Sequence, residues 1–297
     1  MKAKKFLKSM LLLSSLIAMV GCGGGGGSDS GESGNNPLSP AKDKFATKAE
    51  IQANIPGVWE RYSIEKSTIN GLTAVETSYR FVTFPNGDFR QFAHGTINNK
   101  PILCYSHGKY GISDGKILCN NRKISIECPS DYSLEFKDLP MEDAYSQVLS
   151  INSNSMQLSD NDKTTKLTKV YSLVSKDIID TNIVGTWNLN ETIKELDGTQ
   201  ITNITMTLSP DGSLVIDENA VLADGEALTA HVTAKYTSEF GRMRMFNAVS
   251  IVTMVATGES KQVNVGDGEF IVVEMSPTRM RYIDGEDGEV TVWNKQQ

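Results

Sequence analysis

Two stretches of this chain repeat each other almost half its length apart, and that constrains the fold more than any other feature. The first reads Ile55-Pro56-Gly57-Val58-Trp59 and is followed by Phe84-Pro85-Asn86-Gly87-Asp88-Phe89. The second reads Ile183-Val184-Gly185-Thr186-Trp187 and is followed by Ser209-Pro210-Asp211-Gly212-Ser213-Leu214. From tryptophan to turn glycine is 28 residues in one copy and 25 in the other, and the two tryptophans stand 128 apart. The ends of the copies also match, with residues 148–156 parallel to 272–280 as strand, short turn and strand. A solenoid repeats every ~20–50 residues, so a period this long means tandem domains. The expected division is a first domain over 46–176 and a second over 177–297, with the boundary near 175–181.

Within each copy the period is two. In 202–208, Ile204, Met206 and Leu208 alternate with Asn203, Thr205 and Thr207. Val232, Ala234 and Tyr236 alternate with Thr233, Lys235 and Thr237, and Arg242 and Arg244 alternate with Met243 and Met245. Such alternation turns one side of a strand inward and the other outward. Asn86-Gly87, Asp114-Gly115, Asp211-Gly212 and Asp284-Gly285 supply the positive φ angles of tight hairpins. About eight short strands per copy are expected. Eight strands close into a small antiparallel barrel with no exposed edge. The expected fold is therefore all-β: two tandem small antiparallel barrels, with a pair of β-sandwiches as the alternative. One short helical turn is expected over 140–146.

Gly-x-Trp on the first strand, a Pro-Asn/Asp-Gly hairpin and a meander resemble the bacterial lipocalin-like domains of the calycin group. The hairpin over 108–117 looks like that family's mid-domain hairpin, and Thr291-Val292-Trp293-Asn294-Lys295 is similar to its closing strand. The resemblance implies structural roles for Gly57, Trp59, Gly185 and Trp187. Each tryptophan plugs one barrel end, under a basic residue of the last strand. Lys295 is the candidate in the second copy, and Lys176 or Lys169 in the first.

The N-terminus reads as an address. Lys2, Lys4, Lys5 and Lys8 precede a short apolar run over 11–20, and Met19-Val20-Gly21-Cys22 resembles a lipobox. The run is about half of what a membrane-spanning helix requires. The resemblance to lipoprotein signals implies loss of residues 1–21, lipidation of Cys22 and attachment to a membrane. Gly23 after the cysteine points to the outer membrane by that family's sorting rule. Residues 22–45 then form a tether of Gly, Ser and polar residues, a composition that cannot bury a core.

Composition narrows the function. The chain carries a net charge of −7, and removing the four lysines of the leader makes it −11. That argues against nucleic acid as a partner. The charge is uneven: 46–177 is neutral, whereas 178–297 carries 18 acidic and 8 basic residues. Cys104, Cys119 and Cys128 lie close in sequence, without zinc or thioredoxin spacing. An exported chain could join two of them. If Ser113 pairs with Lys116 across the Asp114-Gly115 turn, Cys119 falls opposite Tyr110. Cys104 then lies too far along that strand for a Cys104–Cys119 bond.

Gly111-Ile112-Ser113-Asp114-Gly115 matches a nucleophile elbow in letters, but a strand pattern rather than a helix follows it. Asp284, Glu286, Asp287 and Glu289 crowd one turn without calcium-loop spacing. Met243, Met245, Met254, Met275 and Met280 fit an adaptable core better than a copper site. The sequence thus indicates no enzyme, no cofactor and no metal, and identifies no ligand-binding residue. The expected function is a tethered envelope protein whose barrels bind a small apolar ligand. The alternative is an interaction module that recruits an envelope protein partner. If Cys22 carries the anchor, Cys22→Ser moves the protein from the membrane fraction to the soluble periplasmic fraction; persistence in the membrane removes the anchor assignment.

Overall fold

The computed structural model describes residues 45–296, apart from 62–64, 70–71, 98–99, 128–135, 161–162, 196–197, 223–224 and 286–287. Cys22, tether residues 23–44 and Cys128 lie outside the described residues. The described chain forms two compact units, 45–172 and 173–296.

The first unit begins with helix α1 (Lys48–Asn54). Thr47 caps it by accepting from the Glu50 amide while the Glu50 carboxylate accepts from the Thr47 amide. This reciprocal pairing satisfies donors that a helix start leaves open. Ten strands follow: β1 (Gly57–Arg61), β2 (Glu65–Ile69), β3 (Leu72–Thr83), β4 (Asp88–Ile97), β5 (Lys100–Ser113), β6 (Lys116–Glu127), β7 (Phe136–Pro140), β8 (Ala144–Ile151), β9 (Ser155–Asp160) and β10 (Lys163–Tyr171). The antiparallel ring runs β1-β3-β4-β5-β6-β8-β9-β10 and back to β1. It has eight staves, with β2 paired to β3 and β7 to β6 outside the ring.

The second unit repeats the plan. Helix α2 (Lys176–Asn182) precedes β11 (Gly185–Glu195), β12 (Gly198–Leu208), β13 (Ser213–Val221), β14 (Ala227–Glu239), β15 (Arg242–Met254), β16 (Ser260–Asn264), β17 (Gly268–Met275), β18 (Arg279–Asp284) and β19 (Val290–Lys295). Its ring is β11-β12-β13-β14-β15-β17-β18-β19, closed by β19 on β11, with β16 appended to β15. Val174 joins this unit, because its amide donates to Val272 and its carbonyl accepts from Gly241. Closure of both rings sets the sandwich alternative aside.

The alternation anticipated for the strands is the burial pattern observed. On β13, Leu214, Ile216, Glu218 and Ala220 are buried, and Asp217, Asn219 and Val221 between them are exposed. The hairpin register also agrees: Ser113 faces Lys116 and Tyr110 faces Cys119. A bulge between His107 and Lys109 shifts the far end of that ladder, placing Cys104 opposite Ile126. Cys104 and Cys119 both belong to the first barrel's core.

The helical turn expected over 140–146 is not formed. Ala144, Tyr145 and Ser146 open β8 and pair with Cys119, Leu118 and Ile117 of β6. The ring needs that contact to close, and closure overrides the local preference of an Ala- and acid-rich segment. Helices α1 and α2, in contrast, had not been anticipated. At seven residues each they are too short to print a helical period on the sequence.

Each ring carries its own helix, seam and core, so each unit is expected to fold alone. Expressed separately, 45–172 and 173–297 should each unfold in one cooperative transition. Loss of cooperativity in both would show that the two form one folding unit.

Candidate functional site

Each barrel is sealed at one end by the same group of residues. Trp59 and Trp187 are fully buried. The Trp59 indole N–H donates to the carbonyl of Ile55 at 2.7 Å, and that of Trp187 to Ile183 at 2.8 Å. Ile55 and Ile183 are the C-caps of α1 and α2. One helical turn earlier, Ile51 and Ile179 are also fully buried, so each helix closes the barrel floor with two isoleucines.

A lysine from the last strand covers each tryptophan. Lys169 pairs across the seam with Trp59, and Lys295 with Trp187. Their Nζ atoms lie 4.7 and 5.0 Å from the indole centroids, within cation–π range. Each ammonium also donates to the carbonyl of the last helical residue, Asn54 or Asn182, and Lys169 adds Pro56 at 2.9 Å. A helix C-terminus presents open carbonyls and partial negative charge, which suits a cation. Burial lowers the Lys169 pKa from its ordinary value. Lys176, the other candidate for this place, sits on α2 and pairs with Asp180.

The glycine of Gly-x-Trp makes room for this lysine. Gly57 has φ +145° and Gly185 +135°. A Cβ on Gly185 would lie 2.5 Å from Lys295 Cε, and one on Gly57 3.1 Å from Lys169 Cε.

A matched tyrosine braces each Pro-Asn/Asp-Gly turn. Tyr110 donates its amide to Gly87 at 2.7 Å and its hydroxyl to Phe84 at 2.8 Å. Tyr236 does the same to Gly212 at 2.8 Å and Ser209 at 2.9 Å. Burial, and then the Asp88 carboxylate, push the Tyr110 phenol up to about 12. Sequence reading missed this pair. The signal was present, since the tyrosines follow the turn glycines by 23 and 24 residues.

Above the plug, the two interiors differ rung by rung. In the first barrel the tryptophan rung is Trp59–Phe81–Gln91–Ser106–Ile124. In the second it is Trp187–Met206–Ile216–Val232–Ser250. The next rung is Arg61–Tyr79–Ala93–Cys104 in the first and Leu189–Ile204–Glu218–Ala230–Val252 in the second. The first barrel therefore fills this level with long polar and aromatic groups. Arg61 is ion-paired to Glu76 and lies 5.3 Å over the Tyr79 ring, and Gln91 donates to the Tyr79 hydroxyl at 2.9 Å.

The second barrel has aliphatic side chains at the matching places. Leu189 and Ile204 remain partly exposed, while Trp187 and Met206 below them are sealed. Along β17, β18 and β19, Phe270, Tyr282 and Trp293 form an aromatic ladder with centroids 4.7 and 6.4 Å apart. Ser250 Oγ and Trp293 Nε1 are buried and make no hydrogen bond among the described residues. A buried polar atom left unpaired costs ~1–3 kcal/mol.

The remaining sequence motifs are structural. Gly111–Gly115 is the β5–β6 hairpin, and its Asp114 accepts from the Lys48 amide at 3.0 Å. Met206, Met243, Met245 and Met280 are buried in the second core, and Met275 packs against it. Met254 packs on a second apolar cluster around Leu228. The Asp284 amide donates to the Glu289 carbonyl across its hairpin; Glu286 and Asp287 lie outside the described residues. Among the described residues no three His, Cys, Asp or Glu side chains are grouped to hold a metal. His94, His107 and His231 lie apart on the strands, with His107 stacked on Tyr105 and His231 against Asp217.

A scan against protein-family models gives no match for this chain, and a search of curated proteins gives none.

Gly185 and Gly225 separate the lysine clearance from backbone strain. Both have positive φ, but nothing lies within 4 Å of a Cβ at Gly225. Gly225→Ala should cost only the backbone strain, about 1–3 kcal/mol. Gly185→Ala should cost at least ~1 kcal/mol more, because it also displaces Lys295 from the indole. Denaturant unfolding of the two variants measures the difference; equal losses would deny the lysine its role.

Proposed function

We propose that this protein is an envelope lipoprotein, held through Cys22, whose second lipocalin-like barrel binds a small, mainly apolar ligand. The observation that carries the reading is the divergence of the two interiors at the rung above the plug. Arg61 and Tyr79 occupy that level of the first barrel, and Leu189 and Ile204 take the matching places in the second. An eight-stranded barrel is just wide enough either to be filled by its own side chains or to hold one small ligand. Aliphatic replacements that stay partly exposed favour the second use. The first barrel then serves as a filled, structural copy.

The anchor rests on the lysine-rich leader, the short apolar run and the terminal cysteine.

A neutral, apolar fluorescent probe titrated into the full chain tests the reading. Saturable binding is expected. Ile204→Trp should weaken it at least ~10-fold by filling the lumen, and Tyr79→Trp, the matching change in the first barrel, should leave it unchanged. Absence of binding, or indifference to Ile204→Trp, would sink the binding reading in favour of two filled barrels that recruit a partner through their outer surfaces.

A further inference from the structure

We propose that the second barrel takes an uncharged, planar ring compound bearing a carbonyl oxygen, with the Trp293 indole N–H as the donor to that oxygen. This rests on the binding reading above and adds the chemistry of the ligand. The strand registers show which residues of the two barrels match. Trp293 stands two residues before Lys295 and opposite Met280, as Leu167 stands two before Lys169 and opposite Met156. Tyr282 pairs with Val272, as Leu158 pairs with Val148. Both valine carbonyls accept from the residue that leads into their unit's helix, Val174 or Ala46. Phe270 and Ser146 each lie two residues before that valine. Where the first barrel has Ser146, Leu158 and Leu167, the second therefore has Phe270, Tyr282 and Trp293, joined in an aromatic ladder.

The wall carries a donor with nothing to donate to. Trp293 is 3% exposed, and its Nε1 makes no hydrogen bond among the described residues. The indoles of Trp59 and Trp187 both donate to helix-end carbonyls. Ser250 repeats the pattern: it is 1% exposed and its Oγ is likewise unpaired among the described residues. It lies three residues after Asn247 (φ +53°), as Ile124 lies three after Asn121 (φ +50°). Closure of the ring requires a polar group at neither place, because Leu167 and Ile124 fill both in the first barrel's core. A buried donor without an acceptor destabilises the empty barrel, and a ligand oxygen relieves it. Flat rings also stack on, or set their edges against, aromatic side chains. A charged head finds no compensation here, since Leu189, Val272 and Met280 around the indole are apolar. Leu189 stands two residues above Trp187, at the level of Trp293, and is partly exposed. A ligand entering beside Leu189 reaches the indole edge.

The test uses the full chain and three uncharged probes: acetylnaphthalene, ethylnaphthalene, and an alkyl methyl ketone of the same carbon count. Calorimetry should show acetylnaphthalene binding about tenfold tighter than ethylnaphthalene, and severalfold tighter than the alkyl ketone. Trp293→Phe should bring acetylnaphthalene to within about threefold of ethylnaphthalene. The affinity for ethylnaphthalene should stay unchanged in that variant, which reports an intact interior. The native chain gives an independent readout, because its three tryptophans give three indole N–H signals by NMR. Acetylnaphthalene should move the Trp293 signal, assigned through its contacts to Tyr282 and Met280, downfield, and ethylnaphthalene should not. The signals of Trp59 and Trp187, already bonded, should stay in place. Should Trp293→Phe fail to fold, the signal of the native chain decides. A Trp293 signal unmoved by bound acetylnaphthalene, or a preference for it that survives Trp293→Phe, overturns the donor assignment and leaves the binding reading standing. An alkyl ketone that binds as tightly as acetylnaphthalene overturns the planar ring. If none of the three probes binds, the binding reading falls as well.

Discussion

Both barrels depend on how their first and last strands are held together. A closed ring is as stable as its weakest seam, and in the second barrel β19 meets β11 through a short ladder, Trp187 with Lys295 and Asn188 with Asn294, extended by the Gln296 amide donating to the Thr186 carbonyl. The long ladder between β11 and β12 needs no such help. At the short seam, Lys295 places its ammonium over the Trp187 indole and donates to the last carbonyl of α2, while the indole N–H donates to that helix's C-cap. First strand, last strand and helix are thereby joined at one point. The same three-part junction holds Trp59, Lys169 and α1 in the first barrel. A lysine in this position loses hydration, which is why its pKa falls in the first barrel. Helix-end carbonyls and an indole face replace the lost water. The glycine two residues before each tryptophan is part of the junction, since any side chain there meets the lysine stem.

A junction that holds the frame frees the rest of the interior to change. Once the floor is sealed by tryptophan, lysine and two isoleucines, the rungs above it are not needed for closure. The first barrel has used that freedom to pack Arg61, Glu76, Tyr79 and Gln91 into a bonded network. A buried ion pair of this kind offsets its own desolvation only when its remaining hydrogen bonds are met. The second barrel has used the same freedom in the opposite direction, with shorter, apolar side chains and an inward carboxylate. The same frame therefore carries two differently filled interiors.

The parts legible in the sequence were those written by local rules. Strand alternation, the Asn86-Gly87 and Asp211-Gly212 turns, the Ser113–Lys116 register and the closed all-β architecture all come from period two and from backbone preferences. Residues 144–146 were misread because their strand exists only through pairing with β6, a partner some 25 residues away. Helices α1 and α2 were missed for lack of length, although Thr47 and Glu50 spell a capping box and the Ile51–Ile55 spacing repeats as Ile179–Ile183. The inner rungs were illegible for a different reason. Glu218 reads as one more acidic residue in an acidic half until β12 and β14 place it between Ile204 and Ala230.

The acidity of that half has a physical consequence beyond solubility. Residues 46–177 carry no net charge, whereas 178–297 carry a net charge of −10. A field of one sign concentrates oppositely charged solutes near a surface and raises their encounter rate, most strongly at low salt. Around the second barrel it gathers cations and repels anions. The neutral first unit exerts no such bias.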